Sequence, residues 1–530
     1  MSRKLLAMSR TLLAMSREAK AGATGAALAV VLACAVGACS GASGTLVPGD
    51  GGARDGASSG SSSGAGGSGS GSSGSGGGGD DGSAGSDGAG ARDGAGHADG
   101  GGDDATTGCT NLQCQVAPCA SGTTTLTGTV LDPAGNNPVY NAAVYVPNSP
   151  GGALAPLPLG VGAGSCDCAG LYSGAPMTAT TTDTAGTFTL LGVPAGADIP
   201  VVVQLGKWRK EIVVPKVTAC TANAAGTITL PKNLKDGLYA SLPNIAVSTG
   251  GADSLECTLA RMGVDPAMYT GTATGAGVHV FQGGGGYAAA SGSPTPQTAL
   301  WDSVADLSRY DLALFSCEGE EDPAVTATTA TTLAAYVSAG GKVFAEHYHY
   351  AFFTTYATSP GTPYPEFANV ADWTTVGLTA NDAPYVSDVG TVIETALPRG
   401  AALAAWLGHV GALGANGELV VPVANARANA TVGPTNLATA WLETDPSVTP
   451  PSTQYFSWDM PLPAADAGPV KACGRVAYTD MHASGSIADY TNGSTIVPAG
   501  CASSAKLSND EAAMEYILFE LSACPTPPTP

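Results

Sequence analysis

The sequence contains one group of side chains suited to binding a ligand or a metal ion. His347 and His349 follow one apolar segment, and Asp480 and His482 follow a second. Alternate residues of an extended chain point to the same face, so we expect His347 and His349 to act together. Imidazole nitrogens and carboxylate oxygens are ligands for zinc and other divalent ions.

Three interpretations of this group stay open. In the first, His347, His349 and His482 bind a divalent ion such as zinc, with Asp480 or Glu318 as an oxygen ligand, and the ion activates water or polarises a sugar. In the second, the same histidines and Asp480 are catalytic without a metal, and a His–Asp pair is the general base. In the third, the side chains hydrogen-bond loops at the sheet edge or hold a sugar without reacting it.

The elements that must position these residues alternate between strands and helices from Leu242 onward, the pattern of a parallel sheet. Ligands of such sheets bind beyond the carboxyl ends of the strands. Cys317 follows the apolar segment Tyr310–Phe315. We therefore expect Cys317, His347 and His482 to meet at one edge of the sheet.

The end of this region predicts a helix over Asn509–Leu521. Ser508 and Glu511 have the spacing of a capping box. Met514 and Leu518 belong to an apolar stripe that should face the core.

Three segments resemble a known family. They are YDLALF, GGKVFAEH and GRVAYTDMH, and they are similar to segments of the trehalose-utilisation (ThuA-like) group in the class I glutamine amidotransferase-like superfamily. The resemblance covers residues 242–524 and implies a flavodoxin-like α/β domain with a mainly parallel sheet. Amidotransferases carry a nucleophilic cysteine on a sharp turn after the fourth strand. Glu346 and His347 occupy that position here, so the resemblance does not imply glutaminase activity.

Residues 109–235 have the alternating pattern of short strands. The segments TGTV, NAAVYV and TDTAGTFTLLGVPAG resemble the carboxypeptidase regulatory-like domain, which implies a small all-β, transthyretin-like sandwich of the carbohydrate-binding-like fold. Six cysteines from Cys109 to Cys220 are expected to cross-link the sandwich and its insertion, with a zinc site at Cys166 and Cys168 as the alternative.

The first residues have the form of a targeting segment. Basic residues precede the apolar run Ala26–Ala38, which predicts a signal peptide over residues 1–38. Val36–Cys39 resembles a bacterial lipobox, which implies a lipid on Cys39 that attaches the protein to a membrane. Cleavage without a lipid, and Cys34 as the lipidated residue, stay open as alternatives.

Residues 39–108 are almost entirely glycine, serine, alanine and aspartate, a composition that predicts a disordered tether. A Pro-rich tail covers residues 525–530. This order of segments is similar to that of myxobacterial-type lipoproteins. The formal net charge of −22 argues against nucleic acid as a partner.

The cysteine count predicts disulfides and one odd thiol. Setting aside Cys34 and Cys39 leaves 11 of the 13 cysteines, all expected in an oxidising compartment. We expect Cys317 to pair with Cys257, and Cys473, Cys501 and Cys524 to supply one bridge and the odd thiol.

Two functions are compatible with these features. The first is a lipoprotein of the outer membrane or cell surface that binds a carbohydrate or an envelope partner. The second is an envelope enzyme that acts on carbohydrate through His347, His349, Asp480 and His482.

Overall fold

The computed structural model describes residues 108–162, 165–167, 172–271, 277–284, 295–377, 384–463, 470–483, 501 and 506–523. All of them belong to one compact unit, Gly101–Pro530. The predicted signal peptide, the lipid on Cys39, nearly all of the tether and the Pro-rich tail lie outside the described residues.

The described part of the chain is built mostly from β-strands in several sheets, with few helices. Its strands are β1 (Thr125–Leu131), β2 (Ala143–Pro147), β3 (Pro176–Thr181), β4 (Thr187–Leu191), β5 (Gly196–Leu205), β6 (Trp208–Val217), β7 (Ala222–Thr229), β8 (Leu238–Ser241), β9 (Ile245–Ser248), β10 (Tyr269–Thr270), β11 (Val278–Phe281), β12 (Leu312–Phe315), β13 (Lys342–Glu346), β14 (Asp372–Trp373), β15 (Val389–Ile393), β16 (Val420–Val421), β17 (Ala430–Thr431), β18 (Thr439–Thr444), β19 (Thr453–Met460) and β20 (Gly474–Thr479).

The first eight strands form two sheets that share one apolar core. One sheet has the order β4-β1-β7 and the other has the order β3-β2-β5-β6-β8. Alternate residues of the strands supply the shared core, among them Leu126, Val130, Val201 and Val203. This packing of two sheets is the sandwich that the alternating sequence predicts.

Ten of the remaining strands form one sheet, in the order β10-β11-β9-β12-β13-β20-β19-β18-β15-β16, and β14 pairs separately with β17. Neighbouring strands from β10 to β20 pair in parallel. From β20 to β16 every pair is antiparallel. The sheet is therefore mixed, whereas the sequence predicted a mainly parallel one. The short link between β18 and β19 explains the difference, because parallel strands need a longer crossover connection.

The helices are fewer and mostly short. They are α1 (Leu255–Arg261), α2 (Thr298–Trp301), α3 (Val304–Leu307), α4 (Ala327–Ser338), α5 (Pro398–Val410) and α6 (Asn509–Ser522). None of these helices is both long and apolar enough to cross a membrane.

Helix α6 confirms the predicted capping box, since Ser508 accepts a hydrogen bond from the Glu511 N–H and Glu511 bonds back to the N-cap backbone. The helix is buried almost all round rather than along one stripe. It packs between the sandwich and the large sheet, where Tyr516 stacks on Tyr140 at 6.0 Å and Phe519 meets Trp208 edge-on at 6.2 Å.

The disulfides correct the predicted pairing. The described cysteines form the bridges Cys109–Cys114, Cys119–Cys220, Cys166–Cys473 and Cys257–Cys501. The predicted bridge between Cys317 and Cys257 is wrong, because Cys317 is a buried free thiol. The expectation that the odd thiol lies near the C-terminus fails for Cys473 and Cys501, and Cys524 lies outside the described residues.

The bridge Cys166–Cys473 also overturns the alternative zinc site at Cys166 and Cys168, since a disulfide sulfur is not a thiolate ligand. Instead, this disulfide joins the insertion of the sandwich to Cys473, the residue directly before β20.

Candidate functional site

Three side chains meet beyond the carboxyl ends of adjacent strands. Cys317 follows β12, His347 follows β13 and His482 follows β20, and these strands are parallel neighbours. One ligand atom from each residue lies within 4.8 Å of the others, and all three residues are buried. The sheet thus brings together the three residues that the sequence places at one edge.

The turn at His347 sets the direction of its side chain. Strand β13 ends at Glu346, and His347–Phe352 forms a 3₁₀ helix. His347 has φ of +36°, in a region that residues other than glycine rarely occupy. The Tyr478 hydroxyl donates a hydrogen bond of 2.7 Å to the His347 carbonyl and stabilises this conformation.

This turn corrects the expectation that His347 and His349 share one extended face. The Nδ1 atom of His347 lies 3.3 Å from the Cys317 sulfur, and its ring centroid lies 5.4 Å from that of His482. His349 instead directs Nε2 toward Glu318 Oε1 at 3.6 Å. The extended-face argument fails because the backbone turns directly after Glu346.

Asp480 does not join the cluster. Its Oδ2 accepts hydrogen bonds from the backbone N–H groups of Asn429 and Ala430 and from the Ser452 hydroxyl. Its Oδ1 also lies 3.0 Å from the Tyr478 hydroxyl, whose single proton is shared between this oxygen and the His347 carbonyl. Burial raises the pKa of this carboxyl, while these hydrogen bonds oppose the shift. Asp480 therefore holds Tyr478, which in turn holds the His347 turn.

Two buried carboxyl groups that were not among the predicted site residues support the cluster. Glu346 Oε2 accepts the Cys317 N–H at 2.9 Å. Asp253 accepts the Ala483 N–H at 2.5 Å, next to His482. Burial, and then the charge of Asp253, raise the pKa of Glu346. Asp253 follows strand β9, so the rule that strand ends carry functional groups could have found it.

The electrostatics of the cluster favour neutral groups. Burial, and then the charge of Glu346, raise the pKa of the Cys317 thiol. Burial lowers the pKa of His347 well below its ordinary value and that of His482 to about 3. His482 Nε2 has no hydrogen-bond partner among the described residues. The imidazoles are thus neutral, the form in which histidine binds metal ions, and one sulfur with two nitrogens suits zinc.

No protein-family model matches the sequence, and neither does any curated protein sequence. The solved structures with local similarity include a cohesin–X-dockerin complex from Acetivibrio cellulolyticus, 14% identical over 23% of this chain and 67% of that chain, with a TM-score of 0.14. A 9R-lipoxygenase from Cyanothece is 14% identical over 23% of this chain and 19% of that chain, with a TM-score of 0.13. The pilin BcpA of Bacillus cereus is 13% identical over 21% of this chain and 30% of that chain, also at 0.13. Scores this low do not support any transfer of fold or function.

Proposed function

We propose that the chain is a lipid-anchored protein of the bacterial cell envelope that binds a divalent transition-metal ion through Cys317, His347 and His482. The observation that carries this proposal is the convergence of their three ligand atoms within 4.8 Å. A bound ion would favour the Cys317 thiolate, whose charge is otherwise costly in a buried position. The envelope address rests on the N-terminal sequence and agrees with the disulfides.

We also propose a fold class for each of the two regions, in line with the family resemblances of their sequences. The sandwich is assigned to the carboxypeptidase regulatory-like class, and residues 242–524 to the flavodoxin-like, ThuA-like class. The parallel run of strands from β10 to β20, with candidate ligands at its carboxyl ends, supports the second assignment.

The metal content of the purified protein tests the proposed site. The protein is expressed in an oxidising compartment without a polyhistidine tag, loaded with zinc and dialysed, and zinc is measured by mass spectrometry. Cys317→Ser and His482→Gln should lose the ion from this site, because each removes one of three ligands. The matched control is His409→Ala, an exposed histidine on α5. Wild-type protein that retains no zinc, or a Cys317→Ser variant that retains as much as wild type, would contradict the proposal.

A second candidate function is glycan binding, which a groove on the antiparallel half of the sheet favours. The groove encloses about 790 Å³, and Trp441, Asp459 and Arg475 are among its lining residues. Arg475 donates to Asp459 at 2.6 Å, so a charged planar pair and an aromatic ring line the same groove, a combination that suits sugars.

Calorimetric titration of wild type and of Cys317→Ser with soluble oligosaccharides shows whether glycan binding depends on the metal site or only on the groove. Binding that survives loss of the metal favours a carbohydrate-binding lipoprotein. Binding or hydrolysis that needs the ion favours an envelope enzyme, since a site with three protein ligands leaves one position for water or substrate.

A further inference from the structure

Glu318 is a buried carboxyl group that lacks hydrogen-bond partners among the described residues. Its side chain is 2% exposed. Neither of its oxygens has a hydrogen-bond partner among the described residues. The basic group nearest to it in the described ion pairs is His349 Nε2, 3.6 Å from Oε1, which is too far for a hydrogen bond. Burying a carboxyl group without such partners is unfavourable, and a bound cation would offset the loss.

The hydrogen bond that His349 makes fixes which of its nitrogens faces Glu318. Its Nδ1 lies 3.1 Å from the Glu346 carbonyl oxygen, which can only accept a hydrogen bond. Nδ1 therefore donates this hydrogen bond, and the second ring nitrogen, Nε2, faces Glu318. The ring is fixed there by Phe315 and Phe352, with centroids 5.5 and 5.2 Å away. An imidazole nitrogen and a carboxyl oxygen, both of them common metal ligands, thus face each other in a buried position.

Apart from His349, no basic side chain in the described ranges pairs with Glu318. Glu321 and Glu346 are also buried. Within the described ranges, none of these three glutamates forms an ion pair with lysine or arginine. Gly284 approaches closely, since a Cβ there would lie 2.6 Å from Glu318 Oε2. A residue with a side chain at position 284 would therefore clash with the Glu318 carboxyl group.

We propose that Glu318 and His349 are ligands of a second divalent ion, separate from the ion at Cys317, His347 and His482. An ion about 2.1 Å from both atoms would see them about 118° apart, given their separation of 3.6 Å, and this angle suits a tetrahedral or trigonal arrangement. One nitrogen and one carboxylate donor fit zinc, manganese or ferrous iron better than calcium or magnesium. Cys317 and Glu318 are adjacent in sequence and direct their side chains to different partners, so one segment after β12 supplies both sites.

Zinc stoichiometry tests this proposal and separates it from the first one. Wild-type protein loaded with zinc and dialysed should retain about two ions per chain, and Glu318→Gln should retain about one. Glu320→Gln is the matched control, because it makes the same chemical change at an exposed position on the same segment. His349→Gln is the second variant, used if Glu318→Gln does not fold, and both are checked by circular dichroism.

Each outcome decides between the two sites. If Glu318→Gln and His349→Gln bind as much zinc as wild type, the contact is only an ion pair with protonated His349 and the inference is overturned. If one ion is lost in Glu318→Gln and not in Cys317→Ser, the inference stands and the proposed function fails. If the reverse holds, only the first site exists. In cobalt-loaded protein, the sulfur-to-cobalt absorption band should survive in Glu318→Gln and disappear in Cys317→Ser.

Discussion

Replacing Glu515 with glutamine should stabilise the protein at neutral pH and flatten the pH dependence of its unfolding. Glu515 lies in α6, buried against the sandwich, where its Oε2 accepts a hydrogen bond of 2.5 Å from Asn137. Burial, and then the charge of Asp132, raise the pKa of Glu515 well above its ordinary value of 4.5. Burial also raises the pKa of Asp132. We expect Glu515 to keep a proton and donate it to Asp132.

The sign and size of the effect follow from proton linkage. Below pH 4.5 the folded and unfolded states both hold the proton, and the contribution of Glu515 is complete. As pH rises above 4.5, the unfolded chain releases the proton first, so the free energy of unfolding falls by up to about 1.4 kcal/mol per pH unit. The fall ends once pH passes the raised pKa of the folded state. Between pH 4.5 and about pH 7 the loss is therefore at most about 3.4 kcal/mol.

The glutamine variant keeps the geometry of the protonated acid. Its amide N–H can donate to Asp132, and its oxygen can accept from Asn137. Urea unfolding followed by circular dichroism over a pH series measures the free energy of unfolding for wild type, for Glu515→Gln and for the exposed control Glu320→Gln. The curves of wild type and Glu515→Gln should converge at low pH and separate as pH rises. Parallel curves would refute the assignment of a raised pKa to Glu515.

Two further changes test the packing that holds the candidate sites. Gly474→Ala would place a Cβ against a backbone carbonyl oxygen of α4, so the free energy of unfolding should fall by about 1–3 kcal/mol or more. The control is Gly390→Ala, which has open space around it and should change the free energy of unfolding little. Equal urea midpoints for the two variants would contradict this prediction. Replacing both Cys166 and Cys473 with serine removes a disulfide between residues 307 positions apart, and the free energy of unfolding should fall by about 2–4 kcal/mol. The same urea unfolding curves measure this change. An unchanged midpoint would show that the disulfide adds no stability.

Short apolar runs predicted the parallel part of the large sheet well, because buried parallel strands are continuously apolar. The segments that become β12, β13 and β20 all have this pattern. The antiparallel half was missed because the residues between Ala351 and Pro450 lack a comparable run. The disulfide partners of Cys257 and Cys166 lie 244 and 307 positions away, and sequence spacing carries no information about such pairings.

The edge of the sheet that holds the site was predictable from topology, but the partners of each side chain were not. A left-handed backbone at His347 could not be predicted from the sequence, because histidine adopts this conformation more often than most residues but still only in a small minority of cases. That one turn separates His347 from His349. For Asp480, the sequence shows a carboxylate after a strand and cannot show that Ser452, Asn429 and Ala430 saturate it.

The energetic state of each polar residue distinguishes the proposed ligands from the residues that position them. Asp480 is buried with four hydrogen-bond donors, so it is satisfied without any ligand. His347 carries backbone strain worth about 1–3 kcal/mol, and both carboxyl oxygens of Glu318 are buried without a hydrogen-bond partner among the described residues. A fold stabilised by only about 5–15 kcal/mol bears such costs where something offsets them, and a bound cation at each position would do so. The strained and unpaired groups are therefore the ones assigned to metal binding, and the saturated carboxylate is assigned to the scaffold.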